Sequence, residues 1–147
     1  MSSPHIPTEL APDLLDRIRA RFAPWALLEG LGLEIEAVSP GCARLMLPAT
    51  PRVTNGARGT MNGGWLANLA DMAAAFALST AFDGHMPFAT SDLHIRYLDP
   101  AIGPTTAEAE VLRLSKNGAV VECRLRCGGH LVAISTAHFA IRAGIQG

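Results

Sequence analysis

A chain of 147 residues is the usual size of one compact domain, and with 49% apolar and 17% charged residues it fills a real core, which excludes a disordered chain. Its formal net charge of −1 excludes the basic face that nucleic-acid binding needs. No charged-then-apolar leader opens the sequence, and its longest apolar run is too short and too interrupted to span a bilayer, so a soluble cytoplasmic protein without membrane contact is the expectation.

Residues 1–7 read as a loose terminus. From Thr8, "TELAPDLLDRIRARF" sets Leu10, Leu14, Ile18 and Phe22 on one helical stripe with charges opposite, and Pro24 ends the helix. This amphipathic helix closes an N-terminal segment, residues 1–23, and residues 24–147 read as one domain. "LGLEIEAVS" alternates Leu31, Leu33, Ile35 and Ala37 with Glu34 and Glu36, the pattern of a half-buried strand. Pro40-Gly41 turns the chain, and "CARLMLP" alternates again with Ala43, Leu45 and Leu47 on one side. "ATPRVTNGARGT" reads as a loop, and the apolar helix "MNGGWLANLADMAAAFAL" follows it. After a turn at Asp83-Gly84, "TSDLHIRYL" puts Leu93, Ile95 and Tyr97 on one face, and Asp99-Pro100 stops it. "TTAEAEVLRL" sets Ala107, Ala109 and Val111 opposite Glu108 and Glu110. Lys116-Asn117-Gly118 makes a hairpin turn, and "VVECRLRC" and "LVAISTAHFAI" form two more strands around Gly128-Gly129. Six antiparallel strands and one apolar helix predict an α+β fold in which the sheet curls around the helix.

The helix holds the candidate chemistry. Asn62 is a favoured N-cap, which puts Gly63 and Gly64 at the first helical positions. Glycine is poor for helix stability there but lets a ligand approach the backbone, whose first N–H groups lack internal partners and carry the positive end of the dipole. They suit an oxygen that gains negative charge, although Gly-Gly also fits a tight loop. Further along, Asp71 places a carboxylate among apolar residues, which is costly unless it is paired or chemically required. Burial would raise its pKa into a range useful for acid/base work; the other reading is a structural Asp bonded to Asn68 or to a loop amide.

Gly63 and Asp71 are eight residues apart, roughly 12 Å along a helix at about 1.5 Å per residue. An oxyanion donor and a nucleophile or base must each lie about 3 Å from one reacting group, so a single copy of the helix cannot supply both. Two antiparallel copies across a dimer axis can.

Other chemistries find little support. Cys42, Cys123 and Cys127 form no Cys-x-x-Cys pair and read as reduced core residues. No histidines have metal-ligand spacing with a third ligand nearby, so no metal is expected. No Gly-x-Ser-x-Gly elbow, Walker motif or dinucleotide fingerprint is present.

Three segments, "TNGARGTMNGGWLANLADMAA", "ATSDLHIRYLDPA" and "RLSKNGAVVECRLRCGGHLVAISTAHFAI", give the chain from about Pro24 to Ile141 a family likeness. It resembles the hotdog-fold acyl-CoA thioesterases of the phenylacetate-pathway type, with their Asn, His-Gly-Gly and Leu-x-Asp, their Thr/Ser-x-Asp-Leu strand ending in Tyr-Leu-x-Pro, and their closing strand pair. The resemblance implies a hotdog domain over residues 24–147 with an extra N-terminal helix. It makes Gly63 the oxyanion donor, Asp71 the nucleophile or general base, Thr90 its neighbour that positions water, and Asn55 a group beside the leaving group or carbonyl. It implies a homodimer, with pairing of dimers into a homotetramer as a further step, and sites shared between subunits. The substrate is an acyl-CoA or aryl-CoA, and no cofactor is needed because CoA is part of it. Asn62 stands where the family carries His, and can cap and hydrogen-bond but not carry a proton at neutral pH. The loop from Asn55 to Asn62 is one residue longer than usual.

Around this site Asn62, Gly64, Met61 and Trp65 are candidates for substrate binding, the last two as pocket lining or as plain core. Arg113 and Lys116, and also Arg58, Arg124 and Arg126, are candidates for CoA phosphates or members of a solvated face. Two other functions stay open: an acyl-CoA hydratase or dehydratase on the same fold, and a non-catalytic acyl-CoA binding protein.

Overall fold

Alternating segments form strands and the apolar run forms a helix, in the order expected. The computed structural model describes residues 3–142. Its elements are α1 (Leu14–Phe22), β1 (Glu34–Ser39), β2 (Cys42–Leu47), a short ladder of β3 (Thr54–Asn55) and β4 (Thr60–Met61), α2 (Gly63–Ser79), β5 (Phe88–Tyr97), β6 (Thr105–Leu114), β7 (Gly118–Cys127) and β8 (His130–Ile141). The six long strands make one antiparallel sheet in the order β1-β2-β6-β7-β8-β5, which leaves β1 and β5 at its edges. Helix α2 touches all six of these strands, so the sheet curls around it, the hotdog architecture expected.

Side-chain size explains how closely helix and sheet approach. Ala43, Ala109, Cys123 and Ser135 are successive cross-strand partners and all are buried. The helix brings buried Ala70, Ala73, Ala74 and Ala77, and the larger Leu45, Leu69, Phe76 and Leu125 fill the remaining space. Gly63–Phe82 is long and apolar enough to pass for a membrane span by length and composition, yet here it is the helix that the sheet wraps. The wrapping is incomplete: Trp65, Ala67, Asn68, Asp71, Met72 and Ala75 keep partial exposure along one side.

Two expectations need correction. Helix α1 starts at Leu14, not near Thr8; a proline such as Pro12 disfavours the helical conformation in the residue before it. Leu10 still packs against the core from outside the helix, while Leu14, Ile18 and Phe22 are buried as the stripe requires. Of the three free cysteines only Cys123 is buried; burial pushes its thiol up to about 12. Cys42 is half-buried because Ala43, Leu45 and Leu47 take the inward positions of β2, and Cys127, at the end of β7, donates to the Ile102 carbonyl at 3.2 Å.

Candidate active site at the start and middle of the central helix

The first turn of α2 leaves one amide unused. Asn62 has the extended backbone of an N-cap, φ −61° and ψ 137°, and its Oδ1 accepts from the Gly64 N–H at 2.8 Å. Its carbonyl accepts from the N–H groups of Trp65 and Leu66 at 3.0 and 3.1 Å. Of the first four amides, only Gly63 N–H then has no acceptor among the described residues. Around it the chain is tied down: Asn62 N–H donates to the Val53 carbonyl and Met61 N–H to the Ala101 carbonyl, both at 2.8 Å. Asn62 Nδ2 donates to Asn55 Oδ1 at 2.8 Å, so the side chain of Asn62 is occupied at both ends.

Both glycines have a steric reason inside the chain. A Cβ on Gly63 would come within 3.3 Å of the Tyr97 ring, and one on Gly64 within 2.9 Å of Asn62 Oδ1. The tight-loop reading of Gly-Gly and the close-approach reading are therefore compatible.

More than two turns further along α2, Asp71 is half-buried. The sheet does not enclose it, so its burial is only partial. Thr90 Oγ1 donates to Asp71 Oδ1 at 2.8 Å, not Asn68 or a loop amide. Oδ2 has no partner among the described residues, and none of their ion pairs includes Asp71. That carboxylate oxygen is open to accept a proton or to attack.

A bulge in β5 makes the Thr90 contact possible. Thr90 pairs with Phe139 and Asp92 with His138, which leaves Ser91 as the extra residue. Strict alternation would aim Thr90 away from the helix if Leu93 and Ile95 face it. The inserted residue resets the alternation, so Thr90 and Tyr97, on either side of it, both reach α2. Ser91 itself bonds to the ring Nδ1 of His138 at 2.7 Å and donates to its carbonyl at 3.0 Å.

The remaining candidates divide. Asn62 caps the helix beside the Gly63 amide, and Asn55 is brought to the Asn62 side chain. Trp65 is half-buried against the core, and Met61 is 2% exposed, which leaves it no free surface in this chain. Arg113 pairs with Val120, Val120 with His138 and His138 with Asp92, which puts Arg113 and the nearby Lys116 turn toward the Thr90 end of β5 rather than near Gly63. Arg124 reaches Glu122 at 3.3 Å, and Arg58 is exposed on the loop before α2. Sequence reasoning missed Tyr97, whose hydroxyl donates to the Gly63 carbonyl at 2.6 Å, and the Ser91–His138 pair. The spacing of Thr90 and Leu93, one on each parity, was the available signal for the bulge.

Gly63 and Asp71 keep partial exposure on this chain, and Thr90 is exposed. Four surface cavities of about 190 to 460 Å³ lie on the outer sheet face, between α1 and β1, at the β6–β7 turn and beside the start of α1. None is lined by Gly63, Asp71 or Thr90.

Comparison with known proteins gives a consistent picture. The family model of the thioesterase superfamily matches residues 58–134, from the loop before α2 into β8. A Halobacterium salinarum protein provisionally named an esterase is 34% identical over 116 residues, 76% of this chain and 77% of the relative. Among solved structures, the phenylacetic acid degradation protein PaaI of Thermus thermophilus, in a mutant form, is 27% identical with a TM-score of 0.70, covering 78% of this chain and 97% of its own. The PaaI protein of the Escherichia coli phenylacetic acid degradation operon shares the fold, with a TM-score of 0.80 at 24% identity over 92% of this chain and 97% of its own. With an unused helix-start amide, an oriented carboxylate and this match over half the sequence, the chain belongs to the thioesterase superfamily and is a thioester hydrolase.

Proposed function

We propose that the protein hydrolyses acyl-CoA or aryl-CoA thioesters to a free acid and CoA at two equivalent sites, each shared between the subunits of a homodimer. In each site the Gly63 N–H of one protomer holds the thioester oxygen and the partner's Asp71 acts on the carbonyl carbon. As a general base, Asp71 takes a proton from water as that water attacks. The oxyanion formed rests on the Gly63 amide, the C–S bond breaks, and the CoA thiolate takes the proton back. As a nucleophile, Asp71 forms an acyl anhydride, CoA leaves as the thiolate, and water hydrolyses the anhydride. Thr90 fixes one oxygen of Asp71 in either route, and Asn55 offers its amide to the carbonyl or leaving group. Neither route draws on a cofactor.

The observation that carries this reading is one unpartnered helix-start amide set about 12 Å from a Thr-oriented carboxylate on the same helix. Two features support the dimer. Strand β5 has a free edge ten residues long, and the side of α2 that includes Asp71 is only partly covered. A hydratase or dehydratase is disfavoured, because the amide of Asn62 is already bonded at both ends and cannot shuttle protons.

Thiol release from short-chain, long-chain and aryl acyl-CoAs tests the proposal, with Asp71→Asn beside wild type. The variant is expected to lose about 100-fold or more in turnover, the usual worth of a positioned acid/base group. Near-normal turnover would remove Asp71 from the mechanism.

A further inference from the structure

We infer that Tyr97 is a positioning residue that aims the Gly63 amide at the reacting oxygen. This rests on the hydrolytic reading above and concerns a residue to which that reading gives no role. Tyr97 is half exposed, yet its hydroxyl donates to the Gly63 carbonyl at 2.6 Å and its ring lies where a Cβ on Gly63 would meet it at 3.3 Å. A side chain that only filled space would not need both contacts on the one residue of the first turn of α2 whose N–H has no acceptor among the described residues.

The contacts fix the amide from both sides. Before it, Asn62 N–H is held by the Val53 carbonyl; after it, the Gly63 carbonyl is held by Tyr97. The Asn62–Gly63 peptide is held at its own carbonyl by the Trp65 and Leu66 N–H groups, and the Val53 and Tyr97 bonds hold the peptides on either side of it, so loss of the Tyr97 bond frees one flank at a residue where glycine permits rotation. Tyr97 in turn sits on a rigid support. It pairs with Ala133 at the end of β5, Leu98 and Asp99 donate their N–H groups to the Val132 carbonyl at 2.8 and 3.2 Å, and Asp99 Oδ2 meets His130 Nε2 at 2.7 Å. Strand β5 thus touches both chemical groups of its own helix, Asp71 through Thr90 near its start and Gly63 through Tyr97 at its end. A donor that acts only once the oxyanion forms gains from being held in place beforehand.

The experiment compares Tyr97→Phe and Tyr97→Leu with wild type in kcat and KM for a good acyl-CoA, in thermal midpoint, and in hydrogen exchange at the Trp65 and Leu66 amides. Tyr97→Phe keeps the ring and removes only the hydroxyl. It is expected to lower kcat about 10-fold with KM within about twofold, a loss confined to the transition state. Exchange in the first turn should quicken while the thermal midpoint stays near wild type, and Tyr97→Leu should show the same changes more strongly. Phe matching Tyr in both kcat and exchange would overturn the inference. So would a fall in kcat accompanied by a general loss of thermal stability, which marks a packing role. If wild type turns over no acyl-CoA, the substrate reading fails on its own, and unchanged exchange in Tyr97→Phe would still refute the role of Tyr97.

Discussion

Asn62 shows how much one side chain can be asked to do at a helix start. Its Oδ1 caps the Gly64 amide and its Nδ2 holds Asn55, so the helix cap and the proposed site meet in one amide. Replacement by Ala removes the cap and should cost about 1 kcal/mol in chemical denaturation. Asn62→Asp separates the two roles. Its carboxylate still accepts from Gly64 and adds a favourable charge at the positive end of the helix, about 0.3–1 kcal/mol, and the exposed Asn55 amide can turn its Nδ2 toward the oxygen that replaces Asn62 Nδ2, so stability should stay close to wild type. The same charge beside Gly63 N–H opposes a developing oxyanion and should lower kcat about 10-fold. A stability loss like that of Ala would refute the cap, and an undiminished kcat would place the oxyanion elsewhere. The cap was legible in the sequence because N-capping is local. The steric need for Gly63 was not, because the ring that requires it arrives 34 residues later, at the end of another strand.

Elements were legible where their pattern is their own and blurred where a neighbour sets them. Alternation marked the six long strands, and the apolar run with its cap marked α2, whose burial the sheet then explained. The bulge at Ser91 was hidden because register belongs to a pair of strands. Helix α1 shows the same division: its apolar stripe was readable, but its anchor was not. Arg17 donates to both oxygens of Asp83, at 2.9 and 3.3 Å, tying α1 to the turn that follows α2. The Arg17 hydrogen bond holds the Asp83 carboxyl below its ordinary value of 3.8. A carboxylate with a lowered folded pKa contributes stability that is present above 3.8 and lost as the pH falls through the lowered value. Asp83→Asn isolates this effect, since Asn tolerates the left-handed backbone at φ 53°. The variant's thermal midpoint should lie slightly below wild type at neutral pH, a small gap for so exposed a pair, and the two should converge in acid. A gap that persists at pH 2 would mean that the turn geometry, not the ion pair, depends on Asp83.

At the scale of the whole molecule, the geometry of one helix poses a problem that a second copy, in the proposed dimer, would solve. If Gly63 of one α2 faces the partner's Asp71 and the helices run antiparallel, position 67, midway between them, lies at the two-fold axis, where Ala67 is small and only partly covered. The eight-residue spacing behind this was legible in the sequence, whereas the partial covering of α2 was not, because it depends on how far the sheet curls. Subunit complementation tests the arrangement directly. Gly63→Pro deletes the free N–H at a helix position that favours proline, and Asn62 already has the extended backbone that a following proline demands. The added Cβ must displace the Tyr97 ring by a few tenths of an ångström, a shift that a half-exposed side chain can make. Homodimers of Gly63→Pro and of Asp71→Asn should each be nearly inactive. A heterodimer purified through two different tags joins the intact Asp71 of one chain to the intact Gly63 of the other in one of its two sites. It should recover about half of wild-type turnover. If each site were built within a single chain, every site in that heterodimer would carry one defect, and activity would stay at the level of the parents. A monomer at working concentration by sedimentation, retaining full activity, would reject the shared site just as firmly.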